Sequence, residues 1–155
     1  MPVNGDTIEV REYSSKSINK SGPSLVYFHG GGWVIGDTDT HDNICRYICK
    51  KLNMKIFSVN YRLSPEYKFP IPFNDCFDAY EWISNNAEVL EIDSEMISVG
   101  GDSAGGNLAA SICIQRKKEN KTLPNAQLLI YPATDLRLVT NSMTKDCSEG
   151  FVLTE

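Results

Sequence analysis

The sequence predicts an α/β fold, a mostly parallel sheet flanked by helices, and three observations carry that expectation. Short apolar runs alternate with longer stretches of helical periodicity, the pattern of βαβ units. Two of the runs end in glycine-rich turns, at His29-Gly30-Gly31-Gly32 and at Gly101-Asp102-Ser103-Ala104-Gly105. The chain has 155 residues, a length that suits one domain with a substantial core.

In chain order, residues 7–13 alternate polar and apolar and suit an edge strand. Residues 14–23 are rich in Ser, Lys, Asn and Gly and read as a loop. Residues 24–28 are a short apolar run, a buried strand that opens into the glycine loop of residues 30–36, which carries Trp33. Residues 41–52 have helical periodicity, with Ile44, Tyr47, Ile48 and Leu52 on one face. Residues 55–59 form the next strand. Pro65, Pro70 and Pro72 break the chain into an extended loop. Residues 73–85 are amphipathic, with Phe73, Cys76, Phe77 and Tyr80 at helical spacing. Residues 96–100 are a strand leading into Ser103, and residues 104–119 the helix behind it. Residues 127–131 are apolar on both faces, as in a central parallel strand, and a loop follows Pro132. There is no internal repeat, low-complexity tract or inter-domain linker.

Composition excludes several function classes. The net charge of −5 leaves no electrostatic footprint for nucleic acid. Arg116, Lys117, Lys118 and Lys121 read as a solvated helix C-terminus, where cations complement the dipole. The five cysteines, Cys45, Cys49, Cys76, Cys113 and Cys147, are odd in number and scattered, which suits buried free thiols better than a disulfide framework or a zinc site. Residues 1–10 lack the features of a signal peptide, and no run approaches membrane-spanning length. A cytoplasmic setting is the expectation. The 30–36 loop has neither a Walker lysine nor G-x-G-x-x-G spacing, and no cofactor or metal is expected.

The chemistry concentrates at the two glycine turns. G-x-S-x-G after a strand and before a helix places a serine on a sharp turn, with its hydroxyl clear of the sheet edge. Gly101 and Gly105 permit close backbone approach there. Ser103 is the candidate nucleophile. The Ala104 N–H, at a helix N-terminus, is the natural first donor to a developing oxyanion, and Gly30 and Gly31 would supply the others. His29 precedes these glycines and reads as a hydrogen-bonding loop residue. His41 reads as the opening of a helix. Asp102 is expected to point away from the serine as structural support. A serine needs a base, yet both histidines precede Ser103, whereas acyl-transfer enzymes with this elbow order their triad Ser, acid, His.

These motifs resemble the hormone-sensitive-lipase-like branch of the α/β-hydrolases, a group that includes bacterial carboxylesterases and acetyl esterases. His29-Gly30-Gly31-Gly32-Trp33 looks like the family's HGGGW, and Gly101-Asp102-Ser103-Ala104-Gly105-Gly106 like its GDSAGG. Tyr61-Arg62-Leu63-Ser64-Pro65-Glu66 is similar to YRLAPE, with Ser64 in place of Ala. Phe69-Pro70, Asp75 and Trp82 match the stretch that follows it. Tyr131-Pro132 with Asp135 matches YPxxD, and residues 150–154 resemble the lead into the next family helix. The resemblance implies a serine esterase acting on a small-molecule acyl ester of short to medium chain length. Its nucleophile would be Ser103, its oxyanion hole Gly30, Gly31 and Ala104, and it would need no cofactor. It assigns Asp135 a structural place. It also implies that residues 1–155 are a partial α/β-hydrolase domain, lacking an N-terminal cap and the later acid and histidine, with self-association or a complementing C-terminal segment as the expected partner. Two alternatives stay open. One is a non-catalytic ligand-binding protein on the same scaffold, as in the plant gibberellin receptors of this family, and the other is an inactive truncated fragment.

Overall fold

The computed structural model describes residues 1–15, 18 and 21–137; Cys147 and the 150–154 segment lie outside them. A small hairpin pairs β1 (Pro2–Val3) with β2 (Asp6–Thr7). The main sheet contains β3 (Glu9–Tyr13), β4 (Gly22–Phe28), β5 (Lys55–Asn60), β6 (Ile92–Asp102) and β7 (Gln127–Ile130). The helices are α1 (Asp42–Leu52), α2 (Ile71–Asn85) and α3 (Ala104–Lys118). The sheet order is β3-β5-β4-β6-β7, with β3 antiparallel to β5 and the other pairs parallel.

This order fixes both the layers and the site. The chain leaves β4 through α1 toward β5, then crosses back over β4 through α2 to β6, and continues outward through α3 to β7. Right-handed crossovers running in opposite directions put their helices on opposite faces of the sheet. Strand alternation matches this. Leu25 and Tyr27 pack with Cys45, Ile48 and Cys49 of α1, whereas Val26 and Phe28 pack with Cys76, Tyr80 and Ile83 of α2 and Leu108 and Ile112 of α3. Because the connections leave the neighbouring strands β4 and β6 in opposite directions, a crevice opens beyond their carboxyl ends, the place where open α/β sheets bind ligands. The two glycine turns lie at those two strand ends.

Several expectations are corrected. The hairpin was not anticipated, although Asn4-Gly5 between two short runs is its sequence signal, and Gly5 has φ +82°. Helix α2 begins at Ile71, not at 73, and Pro72 lies inside it, because the first turn of a helix needs no N–H there. The buried face of α1 is Cys45, Ile48 and Cys49, while Tyr47 and Leu52 are 63% and 62% exposed; the small thiols allow the helix to approach β5 and β3 closely. Among the described residues Cys45, Cys49, Cys76 and Cys113 are buried free thiols. Arg116 does not belong to a solvated cluster. It is buried, stacks 4.8 Å from the Tyr80 ring centroid, and pairs with Glu81. No helix among the described residues is long and apolar enough to cross a membrane.

Strand β7 occupies an edge of the sheet among the described residues, although it is apolar on both faces. Leu128 and Leu129 remain 37% and 38% exposed. An open, apolar parallel edge invites pairing with another strand. A polypeptide of residues 1–155 is therefore expected to self-associate, with a scattering mass that rises with concentration. A monodisperse monomer with a cooperative melt and no binding of an apolar-surface dye would overturn this.

Candidate active site

Ser103 sits at the single-residue turn between β6 and α3, with φ +51° and ψ −116°. A non-glycine residue held there stores about 1–3 kcal/mol of strain and persists only where its surroundings fix it. The surroundings do so. The Ser103 N–H donates to Ile130 O at 2.9 Å, and the Ser103 carbonyl accepts from Asn107 N and Ala133 N, each at 3.1 Å. The hydroxyl has no hydrogen-bond partner among the described residues, and the side chain is half-buried. Glycine is required behind it by close approach. A Cβ on Gly105 would lie 2.7 Å from His29 O and overlap the Phe28 carbonyl, and one on Gly101 would lie 2.7 Å from Gly105 O.

The first turn of α3 thus presses directly on the end of β4, where the second glycine loop starts. Gly31 and Gly32 have φ of +119° and +60°. Val34 N and Ile35 N both donate to Gly31 O at 3.0 Å, closing a tight turn. The structure corrects one expected donor. The Gly30 N–H donates to Asp102 Oδ1 at 3.0 Å, so it is not free for an oxyanion. The N–H groups of Gly31, Gly32 and Ala104 have no acceptor among the described residues.

Asp102 has specific partners of its own. Its buried carboxylate also accepts from Tyr27 Oη at 2.8 Å, and His41 Nε2 lies 3.3 Å from Oδ1 and 3.4 Å from Oδ2. His41 stands at the start of α1, where its side chain caps nothing. Sequence reasoning missed this contact across 61 positions. The one available signal was chemical: a carboxylate next to a buried turn requires donors. The hydrogen bond to Asp102 raises the His41 imidazole above its ordinary value, against the opposing effect of burial. Burial pushes the Asp102 carboxyl up, but the bonds from His41 and Tyr27 outweigh it and the net shift is downward.

His29 is fully buried. Its Nδ1 is 2.7 Å from Gly30 O, so the proton resides on Nδ1. Nε2 is buried without a hydrogen-bond partner among the described residues. The ring stacks on Tyr61 at 4.3 Å, and Tyr61 Oη donates to the His29 carbonyl at 2.7 Å. Burial lowers its pKa. Arg62 grips the buried Asp75 of α2 with Nε at 2.9 Å from Oδ2 and Nη2 at 2.6 Å from Oδ1, anchoring the segment that follows β5. Asp135 is held by Arg137 at 2.7 Å.

An apolar cavity of about 370 Å³ opens beside these turns. Gly32 and Trp33 of the loop form one wall, and Leu108 of α3 with Phe69 and Phe73 form the others. More of a ligand pocket is present here than the sequence suggested. No group of three or more His, Cys, Asp or Glu side chains among the described residues has the arrangement of a metal site.

Residues 25–155 match a family described as the alpha/beta hydrolase fold. The chain belongs to that family. Its curated relatives fall in the branch the motifs resemble. The chain is 41% identical over 138 residues to the carboxylic ester hydrolase LipN of Mycobacterium tuberculosis, covering 86% of this chain and 36% of the relative. It is 37% identical over 134 residues to an ethyl acetate hydrolase of Pseudomonas putida, covering 84% of this chain and 42% of the relative. Among solved structures, it is similar to an alpha/beta hydrolase enzyme from the Lake Arreo metagenome, with TM-score 0.94 at 38% identity over 99% of this chain and 49% of that one. It is also similar to a hyperthermophilic esterase of Pyrobaculum calidifontis, with TM-score 0.84 at 41% identity over 87% of this chain and 43% of that one. The chain spans less than half the length of each of these proteins.

Proposed function

We propose that this chain is the nucleophile-bearing portion of a serine carboxylesterase that hydrolyses short- to medium-chain acyl esters. In this reading Ser103 Oγ attacks the ester carbonyl carbon and gives its proton to a base supplied from outside the chain. The alkoxide leaves with that proton, and water then releases the acid from the acyl-enzyme. The oxyanion formed at each step is received by the N–H groups of Gly31, Gly32 and Ala104. This set replaces Gly30 with Gly32, because the Gly30 donor is committed to Asp102. One such donor is worth about 3 kcal/mol of transition-state stabilisation. The apolar cavity beside Gly32 and Leu108 suits an acyl chain. The carrying observation is the strained backbone of Ser103, at φ +51°, on a strand–turn–helix junction beside donors with no acceptor.

A fluorophosphonate probe is expected to label Ser103, weakly in residues 1–155 alone and strongly once a base is supplied, with all labelling lost in Ser103→Ala. Labelling undiminished in Ser103→Ala would overturn the assignment. A ligand-binding role is favoured by one observation, that neither histidine bonds to the Ser103 hydroxyl. It is distinguished by retained binding of an ester analogue without probe labelling in the protein to which a base has been supplied.

A further inference from the structure

The loop of residues 29–41 begins and ends on the same carboxylate. At its start, Gly30 N–H reaches Asp102 Oδ1 at 3.0 Å; at its end, His41 Nε2 straddles both oxygens at 3.3 and 3.4 Å. Tyr27 Oη, at 2.8 Å, holds the same group from below. The Asp102 carboxylate fills the place a side chain on Gly30 would take, since a carbon added to that glycine would meet Asp102 Cγ at 3.0 Å. His41 is not free to turn. Its Nδ1 lies 3.0 Å from Thr40 Oγ1, and its ring centroid lies 5.5 Å from that of His29 and 6.4 Å from that of Tyr27. One carboxylate therefore ties both ends of the loop to the residue that immediately precedes the nucleophile.

From this arrangement we infer that His41 is a positioning residue: acting through Asp102, it holds the Gly30 end of the loop against the nucleophile strand and so sets where the Gly31 and Gly32 N–H groups lie relative to Ser103. The inference rests on the proposed role of those donors. It also has an electrostatic consequence. A bare carboxylate beside a developing oxyanion opposes it, whereas an imidazolium on that carboxylate offsets its charge. The charged and titratable groups facing His41 are Asp102, His29, Tyr27 and Asp37. Asp102 favours the protonated ring most strongly, Asp37 adds to it, and burial opposes it. The clamp is complete below the folded pKa of His41, which lies above the ordinary value, and loosens as pH rises through it. It is also lost as pH falls through the depressed pKa of Asp102.

The test uses the isotopically labelled 155-residue chain and nuclear magnetic resonance. The His41 imidazole should titrate above its ordinary midpoint, and the Gly30 amide resonance should move with the same midpoint. Asp102→Asn should lower the His41 midpoint, because the charged partner that favours the protonated ring is lost. His41→Gln should abolish the movement of Gly30 at the His41 midpoint, leaving only that of Asp102 at lower pH, yet keep the amide protected. His41→Leu should speed Gly30 exchange about tenfold, the scale of one hydrogen bond to a charged group. In the same variant the maximal rate of Ser103 modification by a fluorophosphonate should fall about tenfold with little change in probe affinity. A Gly30 amide indifferent to the His41 titration, or equally protected in a folded His41→Leu, would overturn the inference. If His41→Leu fails to fold, the titration of the unsubstituted chain and His41→Gln decides the matter. Absent labelling of Ser103 in the protein to which a base has been supplied, with a responsive Gly30, would remove the esterase reading and leave the clamp standing; labelling there with an unresponsive Gly30 would do the reverse.

Discussion

Gly105→Ala is expected to destabilise the protein by about 4 kcal/mol or more, a loss reserved for a few mechanisms and comparable to much of the stability of a small domain, roughly 5–15 kcal/mol. The mechanism is overlap with backbone. The added carbon would lie 2.6 Å from Phe28 C and 2.7 Å from His29 O, and neither can yield without moving the end of β4. Phe28 is fully buried and pairs across to Val59 and Gly101, so the strand has nowhere to go. Moving α3 instead would break the Ser103 bonds to Ile130 and Ala133. Gly32→Ala provides the contrast. Nothing lies within 4 Å of its added carbon, and only its φ of +60° is unfavourable, a cost of about 1–2 kcal/mol for a left-handed residue. Urea denaturation of the two variants beside the unsubstituted protein reads the difference. Equal midpoints would mean that the helix behind the nucleophile does not bear on β4 as described.

The contrast between these glycines also marks how far the sequence could be read. Strand β4, the end of strand β6 and helix α3 were legible because local pattern and tertiary demand agree there: apolar runs end at turns where Gly101 and Gly105 leave no room for a side chain. The two glycine turns were legible as motifs, and the adjacency of β4 and β6 is what brings them to one crevice. What failed was whatever depends on a partner distant in the chain. Periodicity set the α1 stripe about Ile44, Tyr47, Ile48 and Leu52; the sheet takes Ile48 together with Cys45 and Cys49 and leaves Tyr47 and Leu52 exposed, so close packing, not hydrophobicity, decides how the stripe is turned. Arg116 looked like the first cation of an exposed cluster, yet Glu81 and the Tyr80 ring, on another helix, draw it inward. The resemblance of the glycine motif gave Gly30 the role of oxyanion donor; the Asp102 carboxylate, 72 positions away, takes that N–H instead.

Residues 1–155 alone are expected to hydrolyse p-nitrophenyl acetate no faster than their Ser103→Ala variant. Losing the base of a serine triad costs on the order of 10⁶ in kcat, and the geometry leaves no substitute among the described residues. His41 is the tempting one, because it is paired with an acid directly beside the nucleophile. Both of its nitrogens are engaged, however, Nε2 with Asp102 and Nδ1 with Thr40 Oγ1 at 3.0 Å. A base held by a carboxylate must present its other nitrogen to the serine, and here that nitrogen faces Thr40. His29 has a free Nε2, but the ring is fully buried, stacked on Tyr61 and tied through Nδ1 to Gly30 O. Turning it toward Ser103 would dismantle the loop that the oxyanion needs. Asp135 does not help either, since it is bound to Arg137 at 2.7 Å. Supplying a segment with an acid and a histidine should restore turnover that Ser103→Ala then abolishes. Robust turnover by residues 1–155, lost in Ser103→Ala and also in His41→Ala, would show instead that His41 leaves Asp102 or Thr40 to act as the base. It would replace the clamp described here with a triad assembled from residues on both sides of the crevice.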